Sequence, residues 1–99
     1  MRITIKSKPK VSMRSVVVGY SKAPAQVFVK ASDGKWYLQR PIERISSTNI
    51  FRCVACFGDG ATSPETEMII ALVQTEDRTK GVYDELPAGE VAMQTVIRR

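Results

Sequence analysis

Two cysteines, Cys53 and Cys56, stand three residues apart in a chain that has no histidine. A Cys-x-x-Cys pair can work as a redox couple at a helix N-terminus, or as half of a zinc site when a second ligand pair exists. Neither setting is present, because the pair lies inside the alternating run Ile50 to Phe57 and no third cysteine completes a ligand set. In an extended segment, residues three apart face opposite sides and lie about 10 Å apart, beyond disulfide reach. The expectation is two reduced thiols with a structural role, one of them in the core.

The other chemistry-bearing patterns fall short of known constellations. Gly58-Asp59-Gly60 with Glu65 and Glu67 offers oxygen ligands, but not at the alternating spacing of a calcium loop, and Gly58 to Ser63 lacks the Gly-Lys-Ser/Thr end of a phosphate loop. An enzyme without histidine would have to shift an Asp, Glu, Lys or Cys by several pKa units, and no nucleophile has an evident base. The expectation is therefore a non-catalytic protein with no cofactor and no metal.

Charge is placed unevenly. Residues 1–22 hold Arg2, Lys6, Lys8, Lys10, Arg14 and Lys22 and no acid, whereas the rest of the chain has nine basic and ten acidic residues. Such a segment can meet a polyanion, or its lysines and arginines can guard an exposed edge strand against pairing. Trp36 and Tyr37 are adjacent, so in a strand they face opposite sides and only one can join the core. The other is either a stacking platform or a ring laid over its cross-strand neighbours. Lys8, Lys10, Arg14, Tyr20 and Tyr37 are the candidate binding residues on this reading.

These residues must be positioned by strands. Alternation marks 2–6, with Ile3 and Ile5 on one face, and 11–18, where Val11 and Met13 share a face before Val16-Val17-Val18 ends at Gly19. Residues 25–31 and 35–40 flank Asp33-Gly34, a hairpin signal of the type I′ kind. A short strand over 41–47 and a polar turn at Ser46-Ser47-Thr48-Asn49 lead into the strand 50–57. Met68 to Val73 is a continuous apolar run that fits a strand covered on both faces. The polar connection 75–89 has room for one helical turn, and 91–97 is the last strand.

Ninety-nine residues suffice for one domain with its own core, and the whole of 1–99 is expected to form it. Seven or eight short strands without helical periodicity predict an all-β fold, a single antiparallel β-sandwich, with a small β-barrel as the alternative. No apolar run reaches transmembrane length and the start alternates too early for a signal peptide, so the chain is expected to be soluble, cytoplasmic by default, with no membrane insertion.

The order Ile3-x-Ile5, the Val-rich run ending at Gly19, Val27-Phe28-Val29, Gly34-Lys35-Trp36-Tyr37-x-Gln39, Phe57-Gly58 and Ile69 to Val73 resembles the immunoglobulin-like or fibronectin type III-like accessory domains of bacterial multidomain proteins. The likeness spans nearly the whole chain. It implies a sandwich used as a spacer or binding module, with Trp36 matching the third-strand Trp of antibody-type domains. Phe51 departs from a Trp frequent in the accessory domains, and Cys53 and Cys56 cannot form the inter-sheet disulfide of antibody domains. The function expected is an interaction or spacer module that meets another protein or its own copy through a sheet edge or face. The alternative is polyanion or carbohydrate binding by the basic N-terminal region with Tyr20 or Tyr37.

Overall fold

A computed structural model describes residues 3–40, 42–45, 48–77 and 79–99. The central element is the apolar run in the second half of the chain, which forms a strand buried on both faces. Around it the described residues contain ten strands and no helix: β1 (Thr4–Lys6), β2 (Lys10–Val11), β3 (Arg14–Tyr20), β4 (Gln26–Lys30), β5 (Trp36–Gln39), β6 (Ile42–Arg44), β7 (Ile50–Cys56), β8 (Glu67–Val73), β9 (Val82–Tyr83) and β10 (Val91–Arg98). Two sheets result, one of four strands in the order β1-β3-β7-β6 and one of six in the order β2-β10-β8-β4-β5-β9. All pairings are antiparallel except that of β2 with β10. The two sheets form a sandwich, not one closed barrel. Among the described residues no helix is long and apolar enough to cross a membrane.

The layer between the sheets follows from period-two alternation. Val17 of β3 and Cys53 and Ala55 of β7 meet Val27 and Val29 of β4, Met68, Ile70 and Leu72 of β8, and Val96 of β10. Gly19 is buried on the inward side of β3. A Cβ at Gly19 would lie 2.9 Å from Leu72 Cδ2 and 3.3 Å from the Thr4 carbonyl oxygen.

A second apolar layer lies on the other side of the six-stranded sheet. Phe28, Trp36, Ala71, Val73 and Tyr83 form it, with Leu38, Ile69 and Leu86 packed alongside. The connection 74–90 supplies its cover. The described residues of 75–89 form no helical turn; the connection instead adds β9 to β5, pairing Tyr83 with Trp36, and sets the Tyr83 ring edge-on to Phe28 at 5.4 Å. Asp77 Oδ1 pins this cover by accepting from the Tyr83 hydroxyl at 3.0 Å, the Thr79 amide at 3.1 Å and the Thr79 hydroxyl at 3.0 Å. Those bonds, led by the Thr79 amide, hold its carboxyl below the usual 3.8.

Two further local expectations are corrected. The run 11–18 is two strands in different sheets, because Ser12 turns the chain with its hydroxyl donating to the Arg14 carbonyl, and Val11 is buried while Met13 is exposed. The hairpin at Asp33-Gly34 is not type I′: only Gly34 has positive φ (82°), Gly34 N–H bonds to the Ala31 carbonyl, and Ala31 N–H bonds to the Lys35 carbonyl. This is a type I turn with a glycine bulge. The short strand expected over 41–47 is β6, whereas Arg2, Pro41, Ser46 and Ser47 lie outside the described residues.

Two tests follow from these layers. Gly19→Val should lower stability by about 1–3 kcal/mol in chemical denaturation, and in a double-mutant cycle its cost should be smaller in the Leu72→Ala background. Asp77 titrates lower when folded than when unfolded, so its contribution is complete above pH 3.8 and is lost as the pH falls through its folded value. Asp77→Asn should therefore flatten that acid limb of the stability curve.

Candidate functional site

Three surfaces have unusual chemistry: a groove between the sheets, one open strand edge and one apolar sheet face. The groove has a volume of about 570 Å³ and runs between β5 and the end of β7. Val29 and Met68, from the inter-sheet layer, form its apolar floor, and its polar rim is Ser32, Asp33, Arg40, Asp59 and Thr62. Tyr37 adds its half-buried ring. The pairing of Tyr37 with Val29 turns this residue toward the inter-sheet side, and the next-door Trp36 toward the outer layer.

The groove is stiffened by hydrogen bonds to its walls. Gln39 spans the two sheets: its Nε2 donates to the Tyr37 carbonyl at 2.9 Å and its Oε1 accepts from the Cys56 amide at 2.7 Å. The Tyr37 hydroxyl donates to Asp33 Oδ2, while Asp33 Oδ1 accepts from the Lys35 amide at 2.9 Å. The tyrosine bond, followed by the Lys35 amide, holds the Asp33 carboxyl below its ordinary value and raises the Tyr37 phenol. In the roofing loop the Asp59 amide donates to Thr62 Oγ1 at 2.9 Å, and Arg98 donates to the carbonyls of Phe57 and Asp59.

The open edge belongs to β10. From Val91 to Val96 this strand pairs only with β8, since β2 reaches only Ile97 and Arg98. The Ile97 amide bonds to the Pro9 carbonyl and the Arg99 amide to that of Val11, so odd-numbered amides point away from β8. By the same alternation the backbone groups of Val91, Met93 and Thr95 face the unpaired side. No charged residue lies between Val91 and Ile97, and Met93 is 54% exposed.

The outer face of the four-stranded sheet shows the cross-strand pair Val16 and Val54, 53% and 52% exposed, with Val18 and Ile50 nearby. The sequence run Val16-Val17-Val18 sends only Val17 inward. Arg14 and Tyr20 lie at opposite ends of this face, six residues apart on β3, or about 20 Å at normal strand rise. Lys8 lies on the crossing from β1 to β2, Lys10 opens β2, and Tyr37 is in the groove. No hydrogen bond, ion pair or ring contact joins any two of the five candidate residues. Of these five, Arg14 and Tyr20 are held apart along β3. The structure adds Asp33, Asp59 and Thr62 around Tyr37, a grouping signalled in sequence only by turn-type residues.

The cysteines divide as strand alternation requires, Cys53 buried and Cys56 exposed, both free. Burial, with a smaller contribution from Cys56, pushes the Cys53 thiol up to about 11. Among the described residues no group of three or more His, Cys, Asp or Glu side chains could hold a metal ion. No family model matches the chain, and no curated protein or solved structure shows a significant match to it.

At pH 7.5 iodoacetamide should label Cys56 in the folded protein and reach Cys53 only after unfolding, read by peptide mass spectrometry. Equal labelling of both thiols in the folded state would contradict the assigned register of β7.

Proposed function

We propose that this chain is a non-catalytic interaction module of immunoglobulin-like type that meets a protein partner, first of all a second copy of itself, through the open edge of β10. The immunoglobulin-like reading rests on strand order. Leaving aside the two-residue strands, β1-β3-β7-β6 and β10-β8-β4-β5 correspond to the ABED and GFCC′ orders of variable-type sandwiches. Trp36 departs from the third-strand position of antibody domains, because it lies on β5 and packs on the outer layer. Both cysteines lie on β7, so neither bridges the sheets.

The observation behind the interaction reading is the uncharged, one-sided stretch from Val91 to Thr95. Other edges are blunted in the usual ways. The β1 edge carries Lys6 and is followed by Pro9, β6 carries Glu43 and Arg44, and β2 and β9 are two residues long. The β10 edge has none of these devices over its first five residues. An incoming strand would find three outward N–H and C=O sets at 91, 93 and 95, with the exposed side chains of Val91 and Met93 beside them.

Polyanion binding by Lys8, Lys10 and Arg14 has less support, since Arg14 and Tyr20 stand at opposite ends of β3 and, among the described residues, no cation–π contact joins the lysines to either tyrosine.

Sedimentation velocity over a concentration series tests the proposal. Self-association is expected, and Met93→Pro should weaken it by about ten-fold or more, because the substitution removes an outward donor and spares the β8 ladder. Association that is absent at every concentration, or unchanged by Met93→Pro, would count against the β10 edge.

A further inference from the structure

We propose that the groove between β5 and β7 is a binding site for a neutral saccharide, with Tyr37 as the ring platform and Asp33, Asp59 and Thr62 as partners for its hydroxyls. This site is separate from the β10 edge. It lies three strands away in the six-stranded sheet, about 14 Å at normal strand spacing.

The size and the lining agree with such a ligand. A volume of about 570 Å³ falls within the range of small-molecule sites. A pyranose has an apolar C–H face and a rim of hydroxyls that both donate and accept. The groove offers the matching halves: an aromatic ring with Met68 and Val29 on the apolar side, and carboxylates and a hydroxyl on the other. Carboxylate acceptors form the stronger, charge-assisted hydrogen bonds that compete with water for sugar hydroxyls.

Acceptor capacity remains at the rim. Each Asp33 oxygen takes one internal bond, from Tyr37 or Lys35, and an ionised carboxylate has about four acceptor positions. Asp59 Oδ1 takes the Ala61 amide at 2.8 Å, which leaves Oδ2 for a ligand. The Asp33 bond also fixes the Tyr37 ring before any ligand arrives, which lowers the ordering cost of binding.

Charge decides the ligand class. The charged lining residues are Asp33, Asp59 and Arg40, two carboxylates against one guanidinium, so a phosphate or sulfate ester is disfavoured here although the chain as a whole is basic. A neutral polyol carries no such penalty.

The test is an amide NMR titration of the labelled full chain with xylo-, cello- and manno-oligosaccharides and N-acetylglucosamine oligomers, with heparin as the anionic comparison. Saturable shifts at Tyr37, Thr62 and Met68 with at least one neutral sugar are expected. Tyr37→Ala should weaken that binding by about ten-fold, the loss of one central aromatic contact, while Tyr37→Phe keeps most of it. Asp59→Asn, in the exposed loop, provides a second variant should Tyr37→Ala not fold, and it should weaken binding too. Absence of groove shifts with every neutral sugar in the millimolar range would overturn the proposal. So would sugar binding that both Tyr37→Ala and Asp59→Asn leave unchanged, or groove shifts produced by heparin alone.

Discussion

The two-sided burial of β8 is the constraint on which the rest of the structure depends. Its alternate residues Met68, Ile70 and Leu72 face the four-stranded sheet, and Ile69, Ala71 and Val73 face the other way. A strand apolar on both sides requires two covers, since either face left in water would forfeit about 25 cal/mol for every Å² of apolar surface exposed. The four-stranded sheet is one cover. The connection 74–90 is the other, held by Tyr83 on Phe28 and by Asp77 beneath Tyr83. That second cover is anchored on the β5 side through β9. Val91 and Met93 of β10, on the opposite side of β8, remain exposed. The device that completes the core on one side thus leaves an apolar edge on the other.

Much of this was legible from residue order, and the limits have a physical pattern. The run 68–73 announces a strand covered on both faces because period-two reasoning needs no partner to see it. The alternation in 50–57 likewise places Cys53 inside and Cys56 outside. The division of 11–18 between two sheets was not visible, since Ser12 breaks the strand through a side-chain bond to its own neighbours, and β-branched residues on either side mask the break. Tyr83 and Leu86 in an otherwise polar connection were the available sign that 75–89 covers something, yet which surface they cover depends on the pairing of Tyr83 with Trp36, 47 residues earlier, which no local pattern contains.

The assignment of Trp36 and Tyr37 to opposite sides was legible, but not which side was which. Both sides of the six-stranded sheet turn out to be apolar layers, so the choice rested on register: Trp36 opposite Lys30 and Tyr37 opposite Val29. That register removes Trp36 from the inter-sheet layer and gives Tyr37 its polar neighbours. Lys6, Lys10 and Arg14 fall on three different strands, β1, β2 and β3, of two sheets, a placement that no local pattern contains.

Amide hydrogen exchange by NMR, recorded at low and at high protein concentration, is the most direct measurement of whether β10 presents an open edge. Ile70 and Leu72 should exchange only through global unfolding at both concentrations, while Val91, Met93 and Thr95 should exchange rapidly when dilute and become protected when concentrated. Slow exchange at 91, 93 and 95 in dilute solution would mean that the edge is already covered within the monomer; rapid exchange at both concentrations would mean that no second copy pairs with it. Either result would contradict the account.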